Sequence, residues 1–377
     1  MQDLRAALAA RYPRVALSHE WLTIPGGSEK VVLAILGLLP HAEIFTSVHD
    51  AGRWSPMLDG TPVHASFLDR LPSAARHYPR LLPLMDTAFR RFDLRGFDLV
   101  VSSNHASAKN VRVPGGVPHV CYCHTPMRYV WDPSFLAGER VGRAQRMAFA
   151  TLLPALRRAD RRGAAGVGTF VANSTFVAGR IREAYGRDAV VVHPPVEVAR
   201  FEGVPRRPER DAPYLVFGRV VPYKRADVAV QACLALGRRL IVAGDGRDLE
   251  HVRALAAGRD EIEVLGRVPD DAVAGLFAGS RALLFPGIED FGIVPVEAQA
   301  AGLPVIGLGV GGLRDSVADG RTGVLYDDPS AAGLAAAIQR FEALELDEAP
   351  ARDHAAAFAP ERFAERFGRV LLEAGAR

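Results

Sequence analysis

Two glutamates, Glu289 and Glu297, stand near the ends of the segment FPGIEDFGIVPVE, residues 285–297. The apolar run before this segment predicts a buried strand, and Pro-Gly predicts a turn that leads into a helix. Each carboxylate can accept hydrogen bonds from two neighbouring hydroxyls of a sugar. The turn before the helix leaves the N–H groups of residues 291–294 available to a phosphate. A helix cap at Glu289 and a surface position for Glu297 are the alternative interpretation.

Two cations, Arg219 and Lys224, lie in the segment FGRVVPYKRAD, residues 217–227. Arg219 follows a predicted strand and Lys224 precedes a predicted helix, so both belong to the loop at the strand's carboxyl end. Paired cations at such a position can clamp a diphosphate and stabilise the charge that develops on a leaving group. A solvated basic turn is the alternative, and the position at the end of a strand argues against it.

A glycine pair, Gly26 and Gly27, follows the first predicted strand in SHEWLTIPGGSEK, residues 18–30. The pair precedes a helix that we expect Ser28 to cap. Glycine lets the backbone approach a ligand closely, and a helix N-terminus attracts a phosphate. An ordinary strand-to-helix turn explains these residues equally well, and the third glycine of a dinucleotide fingerprint is missing.

A histidine, His124, ends another apolar run in CYCHTPMRYVWD, residues 121–132. A single histidine at such a place is more often structural than catalytic. However, Arg128, Tyr129 and Trp131 follow it directly. Aromatic rings beside hydrogen-bonding groups suit the apolar face and the hydroxyl rim of a sugar, so the segment is a candidate sugar contact.

The composition excludes several classes of protein. The chain has 377 residues, of which 49% are hydrophobic, and this length predicts two domains. Its net charge of +3 argues against a dedicated nucleic-acid binder. Three cysteines without zinc spacing predict buried thiols. We find no apolar run of the roughly 20 residues that span a bilayer and no signal peptide, so we expect a cytoplasmic protein.

Short β-rich runs alternate with helix-like segments along the chain, which predicts βαβ units and parallel sheets. A stretch rich in Pro, Arg and Glu interrupts the alternation. We therefore predict a first domain over 1–200, a linker over 201–213, a second domain over 214–355, and a C-terminal helix over 356–377 that packs back on the first domain. Ligands bind beyond the carboxyl ends of strands in such sheets, so we expect the two domains to face each other across a cleft.

Taken together, these segments resemble the retaining glycosyltransferases of family 4. The motifs that carry the resemblance are FGRVVPYKRAD, VAGDGRD, LGRVPDD, FPGIEDFGIVPVEAQAAGLPVIG and GGLRDSVADGRTGVLYD, which cover nearly the whole C-terminal domain. The N-terminal HEWLTIPGGSEK and CYCHTPMRYVWD resemble a bacterial subgroup that includes polysaccharide and O-antigen mannosyltransferases. His19 and Glu20 stand where relatives often have an acidic residue before the tryptophan, so their roles stay open. The resemblance implies the α/β fold called GT-B, with two Rossmann-like, doubly wound domains.

The resemblance also implies a role for each matching catalytic residue. Glu289 is expected to bind the hydroxyls of the donor sugar, and Glu297 the ribose of the nucleotide. Arg219 and Lys224 are expected to bind the diphosphate. His124 matches a histidine that reaches the transferred sugar near its reacting side.

Backbone groups complete the donor site that the resemblance implies. Gly26 and Gly27 match a loop that closes over the phosphates, and residues 291–293 match a loop whose amides face the sugar and the phosphate. The expected donor-binding residues are Gly26, Gly27, Gly218, Arg267, Val268, Phe291, Gly292, Ile293 and Glu297. The expected acceptor-binding residues are Arg128, Tyr129 and Trp131.

The implied reaction is the transfer of a hexose from a nucleotide-diphosphate sugar to an acceptor hydroxyl, with retention of the anomeric configuration. No metal and no cofactor are expected, since the nucleotide sugar is a co-substrate. The subgroup favours mannose from GDP-mannose, and a glycan or lipid-linked acceptor in cell-envelope polysaccharide biosynthesis. Three alternatives stay open: a UDP-sugar-dependent transferase of family 4 that acts on a small molecule or glycolipid, a sugar-nucleotide epimerase, and a binding protein without activity.

The segment RHYPRLLPLMDTAFRRFDLRGFD, residues 76–98, mixes arginines with large apolar side chains. Such a mixture is typical of a helix that lies on an anionic membrane surface, which would place the protein peripherally at the inner face of the plasma membrane. The alternative is a helix with one buried face and one solvated basic face. The sequence leaves both interpretations open.

Overall fold

The computed structural model describes residues 1–24, 26–58, 60–132, 143–205 and 211–374. The chain divides into two compact units. Unit 1 consists of Met1–Pro195 and Pro360–Arg377, and unit 2 consists of Val196–Ala359. None of the helices in the described ranges has the length and apolar character needed to cross a lipid bilayer.

Unit 1 contains a parallel sheet of seven strands in the order β3-β2-β1-β4-β5-β6-β7. The strands are β1 Val15–His19, β2 Ala42–Thr46, β3 Val63–Ala65, β4 Leu99–Asn104, β5 His119–Cys123, β6 Thr169–Ala172 and β7 Ala189–Val191. The described helices are α1 Gln2–Arg11, α2 Gly27–Leu38, α3 Ala51–Leu58, α4 Ala74–His77, α5 Leu82–Arg90, α6 Arg128–Trp131, α7 Arg143–Ala165, α8 Thr175–Tyr185 and, after unit 2, α16 Pro360–Ala374.

Unit 2 contains a parallel sheet of six strands in the order β10-β9-β8-β11-β12-β13. The strands are β8 Tyr214–Phe217, β9 Leu240–Ala243, β10 Ile262–Gly266, β11 Leu283–Phe285, β12 Val305–Leu308 and β13 Gly323–Tyr326. The described helices are α9 Ala226–Leu236, α10 Leu249–Ala256, α11 Val273–Gly279, α12 Ile293–Ala300, α13 Leu313–Ser316, α14 Ala331–Glu342 and α15 Glu348–Ala356.

Both sheets are covered by helices on their two faces, which is why their strands are almost continuously apolar. In β1, Val15 and Leu17 join the core formed with α1, α2 and α16, whereas Ala16 joins the core formed with α5 on the other face. In β8, Tyr214 packs towards α9 and α14, and Leu215 packs towards α11 and α12. Successive strand residues therefore serve opposite cores, and the prediction of two parallel, two-sided α/β sheets is confirmed.

The C-terminal helix α16 belongs to unit 1. Its Phe363 and Phe367 are buried, their rings stack with centroids 5.4 Å apart, and both contact the ring of Tyr122 in β5 edge to face. The hydroxyl of Tyr12 donates a hydrogen bond to the carbonyl oxygen of Leu371, at 3.0 Å. Aromatic packing and one buried hydrogen bond thus attach the last helix to the first sheet.

The unit boundaries differ from the predicted domain boundaries. Residues 196–205 group with unit 2 because Val198 and Phe201 are buried in its core, although the sequence assigned 201–213 to a linker. Residues 206–210 of that predicted linker lie outside the described ranges. Residues 356–359 also group with unit 2, since Phe358 packs in the same core and its carbonyl oxygen accepts the N–H of Val196.

One local prediction in unit 1 differs from the structure, and one segment with two open interpretations has a buried apolar face. Ser28 does not cap α2, because Gly26 is the N-cap and the Ser28 hydroxyl donates to Glu29. In the segment 76–98, the apolar face of α5 is buried in the core through Met85 and Phe89. The exposed residues of this segment include Arg76, Arg80, Leu84 and Arg91. The large apolar side chains of α5 thus mainly support the sheet.

We expect Phe367→Ala to destabilise unit 1 by about 3–5 kcal/mol, since it removes a buried ring and leaves a cavity. The three tryptophans of the chain, Trp21, Trp54 and Trp131, all lie in unit 1, so urea unfolding followed by tryptophan fluorescence reports on this unit. Arg366→Ala, at an exposed position of the same helix, is the matched control. Equal unfolding midpoints for the two variants would contradict the structural role of α16.

Candidate functional site

The carboxyl ends of the strands in unit 2 are joined by backbone hydrogen bonds between their loops. The N–H of Gly218, after β8, donates to Ala243 O at 3.0 Å, and the N–H of Val220 donates to Asp245 O at 2.9 Å. The N–H of Gly244 donates to Gly266 O at 2.6 Å. These bonds fix the loops after three adjacent strands as one rigid edge.

Lys224 and Glu289 meet at this edge. Pro222–Lys224 forms a short 3-10 turn after β8, and it places Lys224 Nζ 3.1 Å from Glu289 Oε1. Both side chains are mostly buried, with 17% and 20% of their surfaces exposed. Arg219, in the same loop, is exposed, and its guanidinium donates to the hydroxyl of Tyr223 at 3.3 Å. The edge thus combines a cation beside a carboxylate with a second cation open to solvent.

The contact between these two loops depends on Gly287. A Cβ at this position would lie 2.6 Å from Lys224 Cα and 2.8 Å from Tyr223 O, closer than non-bonded atoms approach each other. The loop after β11 can therefore approach the loop after β8 only because this residue has no side chain. The distance between Lys224 and Glu289 is a consequence of that approach.

A second glycine contact holds Glu289 from the other side. The N–H of Gly312 donates to Glu289 O at 2.9 Å, and a Cβ on Gly312 would lie 2.2 Å from Asp290 O and 2.3 Å from Phe291 Cα. The sequence analysis quoted GGLRD as a motif but gave its glycines no role. Their signal was a Gly-Gly pair in the loop that follows an apolar run, as for Gly26 and Gly27.

The helix α12 carries Glu297 and starts at the turn that the sequence predicts. Gly292 is its N-cap, with φ +89°, and Ile293 is its first residue. Phe291 is buried in the hydrophobic core, so its ring does not contribute to the edge. Glu297 is 8% exposed, which excludes the surface position considered above. The first-turn N–H groups of such a helix have no intrahelical acceptor.

Two further predicted donor residues lie after β10. Arg267 is exposed, whereas Val268 is half-buried and packs against the core beside α11 and α12. Gly218 is half-buried beside the Lys224 ammonium. Unit 2 therefore places Gly218, Arg219, Lys224 and Glu289 close together. Arg267 and Val268 occupy a separate loop on the same edge.

In unit 1, the predicted glycine pair lies at the start of α2. Gly26 and Gly27 are both exposed, and a Cβ on Gly26 would come within 3.0 Å of Glu29 Oε2. Glu29 lies in the first turn of the helix and is buried. A buried carboxylate at a helix N-terminus is favourable because of the partial positive charge there.

A cluster of buried polar side chains joins the carboxyl ends of β1, β4 and β5. His19 Nε2 lies 3.4 Å from Glu29 Oε1, and His19 Nδ1 lies 3.1 Å from Ser103 Oγ. Ser103 Oγ lies 2.8 Å from His124 Nε2. The ring of His105 lies 6.4 Å from that of His19 and 6.2 Å from that of His124. The sequence analysis assigned a ligand contact to His124, left the role of His19 open and gave no role to Ser103, His105 or Glu29.

The environment determines the charge of these groups. Burial raises the pKa of Glu29, but its hydrogen bond with His19, the charges of His19 and His105, and the Ser28 hydroxyl outweigh this effect and lower the pKa to about 2. Burial lowers the pKa of His124 well below its ordinary value, and His105 and His19 act in the same direction. At neutral pH Glu29 is therefore a carboxylate, and His124 is a neutral imidazole.

Glu20 lies beside this cluster and organises the loop after β4. Its carboxylate accepts four backbone N–H bonds, from His105 at 3.1 Å, Ala106 at 2.7 Å, Ser107 at 2.9 Å and Ala108 at 3.0 Å. The side chain is fully buried. Glu20 thus fixes the loop that carries His105. Its signal in the sequence was an acidic residue directly after an apolar strand.

The predicted acceptor residues lie in and around α6. The indole N–H of Trp131 donates to Asp160 Oδ2 at 2.6 Å, and this buried carboxylate also accepts the hydroxyl of Tyr185 and pairs with Lys109. The guanidinium of Arg161 lies 4.9 Å from the centre of the Trp131 ring. Arg128 and Tyr129 are half-buried on the same short helix. The indole N–H of Trp131 is therefore committed to the protein interior.

We expect Glu20→Gln to lower the free energy of unfolding of unit 1 by roughly 2–4 kcal/mol. The amide keeps the shape of the carboxylate but directs an NH₂ group at backbone N–H donors, which leaves buried donors unsatisfied. Glu43→Gln is the control, since Glu43 pairs with His64 on a largely exposed surface of the same unit. A tryptophan-monitored urea midpoint that shifts equally in both variants would argue against the role given to Glu20.

Curated relatives and solved structures resemble this chain. The D-inositol 3-phosphate glycosyltransferase of Geodermatophilus obscurus is 37% identical over 222 residues, which are 51% of this chain and 49% of the relative. The chain thus matches about half the length of this relative. Sucrose-phosphate synthase of Thermosynechococcus elongatus superposes with a TM-score of 0.69 at 19% identity, over 96% of this chain and 99% of that one. Anabaena HepE in complex with UDP-glucose superposes with a TM-score of 0.67 at 18% identity, over 96% of this chain and 99% of that one.

These structural likenesses confirm the predicted GT-B fold class, because they extend over nearly the whole chain. Two family models match the sequence itself. The model described as Glycosyltransferase Family 4 matches residues 25–200, and the model described as Glycosyl transferases group 1 matches residues 199–357. Residues 25–200 are therefore a glycosyltransferase family 4 domain, and residues 199–357 are a glycosyl transferases group 1 domain.

Proposed function

We propose that this chain transfers a hexose from a nucleotide-diphosphate sugar to an acceptor hydroxyl. The observation that carries the proposal is the contact of Lys224 Nζ with Glu289 Oε1 at the carboxyl edge of the unit 2 sheet. A diphosphate needs a cation, and the hydroxyls of a sugar need an acceptor. This edge offers both within the length of one sugar phosphate. The two glycosyltransferase domain matches support the same reaction class.

In the proposed reaction, Lys224 and Arg219 bind the diphosphate and stabilise the negative charge that grows on it as the bond to the sugar breaks. Lys224 is preoriented by Glu289, whereas Arg219 is exposed and donates to the Tyr223 hydroxyl. The N-terminus of α12, at the N-cap Gly292 and the first residue Ile293, contributes the partial positive charge of a helix end. Catalysis is then mainly electrostatic.

The bond changes balance without a protein nucleophile. The bond between the anomeric carbon and the phosphate oxygen breaks, and the acceptor oxygen forms a new bond to the same face of that carbon. The acceptor proton passes to the departing phosphate. The configuration is therefore retained in this proposal, and neither a metal nor a cofactor is invoked, since the nucleotide sugar is a co-substrate.

The other residues have supporting roles in the proposal. Glu289 binds hydroxyls of the donor sugar, and the buried Glu297 binds the two ribose hydroxyls, which match its two carboxylate oxygens. His124 contacts the transferred sugar as a neutral hydrogen-bonding group. Gly26 and Gly27 offer exposed backbone to the phosphates.

The donor has two candidates. The N-terminal motifs favour GDP-mannose, whereas solved structures of similar fold contain UDP or UDP-glucose, which supports a UDP-sugar. Arg267 and Val268 lie on the loop after β10 that we assign to the base, and neither side chain distinguishes guanine from uracil by itself. The choice is therefore one for direct binding measurements.

The acceptor in this proposal is a hydroxyl of a glycan or of a lipid-linked sugar. Arg76 and Arg80, together with Leu84, form an exposed basic and apolar surface on unit 1. Such a surface supports peripheral association with an anionic membrane. Arg128 and Tyr129 are the residues of α6 that we assign to acceptor contact. Trp131 is proposed to hold this helix in place, since its N–H is bound to Asp160.

We expect either GDP or UDP to raise the thermal unfolding midpoint, and the corresponding nucleoside to have little effect. The diphosphate provides the contacts with Arg219 and Lys224. A ligand at about 100 times its Kd stabilises the folded state by about 2.7 kcal/mol, so a dye-based thermal shift screen detects it. If neither diphosphate nor any of their sugar conjugates shifted the midpoint at millimolar concentration, the proposed function would fail.

We expect Arg219→Gln to lower kcat/KM for the donor by about 10²–10³-fold, because one donor to the developing charge is lost. Arg238→Gln is the matched control. Arg238 is also an exposed arginine of unit 2, but it lies before β9, at the amino end of the sheet, and pairs with Glu342. Product formation is measured for both variants with the nucleotide sugar that raises the unfolding midpoint in the thermal shift screen. Full activity of Arg219→Gln would exclude the role assigned to Arg219.

A further inference from the structure

A continuous line of polar contacts runs from the start of α2 to His124 in unit 1. It passes from Glu29 to His19 at 3.4 Å, from His19 to Ser103 at 3.1 Å, and from Ser103 to His124 at 2.8 Å. His19 and Ser103 are fully buried, and Glu29 is 4% exposed. Only His124, at the end of the line, is half-buried.

The carboxylate of Glu29 determines the direction of hydrogen-bond donation along this line. A carboxylate accepts hydrogen bonds and cannot donate one, so the contact from Glu29 requires a proton on His19 Nε2. If His19 carries no second proton, Nδ1 has a lone pair, which accepts the hydroxyl proton of Ser103. With its proton used there, Ser103 Oγ can only accept from His124, and it accepts from Nε2.

We propose that Glu29, His19 and Ser103 are positioning residues that hold His124 as the tautomer with its proton on Nε2. The Nδ1 atom of His124 is then a hydrogen-bond acceptor. The part of this inference that concerns a sugar hydroxyl rests on the proposed function, since a hydroxyl that donates to Nδ1 is the ligand group that this tautomer selects. The tautomer itself does not depend on that function.

Neighbouring contacts fix the imidazole further. The backbone N–H of His124 donates to Asn104 O at 2.8 Å, and the side-chain amide of Asn173 donates to His124 O at 3.0 Å. The ring of Tyr122 contacts the His124 ring edge to face at 5.2 Å. Because the backbone is held on both sides, the remaining freedom of the ring lies in its orientation and tautomer, and the Ser103 hydroxyl acts on both.

In one competing arrangement, the hydrogen bond between Ser103 and His124 has the opposite donor. His19 Nδ1 also lies 3.3 Å from the backbone carbonyl oxygen of Ser103, slightly farther than the hydroxyl oxygen. If His19 carried protons on both nitrogens, the Ser103 hydroxyl would be released to donate to His124 Nε2. His124 would then carry its proton on Nδ1 and offer a donor. The two arrangements therefore predict opposite tautomers of the same residue.

Nitrogen NMR of the full chain labelled with [15N]histidine distinguishes them, because protonated and unprotonated ring nitrogens give well-separated signals. The spectra are recorded near pH 8, above the ordinary histidine pKa of about 6.5. The signals of His124 are identified by their loss in His124→Ala. We expect a protonated Nε2 and an unprotonated Nδ1, and a protonated Nδ1 in the unmodified protein would overturn the proposal.

Ser103→Ala tests the link, with Ser102→Ala as the matched control. Ser102 is the preceding residue of β4, is equally buried, and also contacts a histidine, His119 Nε2 at 2.9 Å. We expect Ser103→Ala to populate the Nδ1–H form of His124, and Ser102→Ala to change the signals of His119 only. Glu29→Gln is the second variant, since an amide can also donate, and both tautomers of His124 should then appear. Unchanged His124 signals in both Ser103→Ala and Glu29→Gln would overturn the proposal.

Kinetics provide the functional readout. We expect Ser103→Ala to lower kcat/KM for the donor by roughly fivefold to tenfold, the value of one hydrogen bond, and to have no further effect in the His124→Ala background. An equal loss in both backgrounds would show that Ser103 acts without His124 and would overturn the proposal. A chain with no transferase activity would refute the proposed function alone, because the NMR result still decides the tautomer.

Discussion

The candidate site of unit 2 depends on how closely two pieces of backbone can approach each other. Gly287 lies against the Cα atom of Lys224, and any side chain at this position would separate the loops after β8 and β11. Gly312 makes a similar contact on the far side of the Glu289 segment. The distance between Lys224 and Glu289 is therefore set by the close backbone approach that these two glycines allow. Lys224 and Glu289 provide the charged groups, and Gly287 and Gly312 allow the loops that carry them to lie close together.

In unit 1, two carboxylates are buried near the carboxyl end of the parallel sheet, and each needs compensating hydrogen-bond donors. Glu20 accepts hydrogen bonds from four backbone N–H groups. Glu29 lies at a helix N-terminus and contacts the Ser28 hydroxyl and the His19 imidazole. Each carboxylate is compensated by donors that also fix a loop or a ring. The cost of burying the charge is thus offset by groups that the site needs in fixed positions.

Much of the fold could be predicted from the sequence, because a strand that is buried on both faces is recognisable by its composition alone. Within the described part of the chain, twelve strands coincide with apolar runs, whereas β3, with three residues that are half-buried or exposed, gives no such signal. The boundary near 196 was missed because Val198 and Phe201 follow a Pro-Pro pair and look like part of a loop. Ser28 was expected to cap α2, but Gly26, two residues earlier, takes that position.

The candidate site was predictable only where a residue with distinctive chemistry follows a recognisable strand. Lys224 and Glu289 could be expected to lie together, since both follow strands of one sheet. The partners of His124 could not, because Ser103 and His19 lie on other strands and have no distinctive spacing in the sequence. A histidine is visible in a sequence, but its tautomer is not. The tautomer is a property of the whole line from Glu29, and a neutral imidazole selects its ligand by the direction of a hydrogen bond and not by charge. The buried residues behind His124 therefore decide what the ring can recognise.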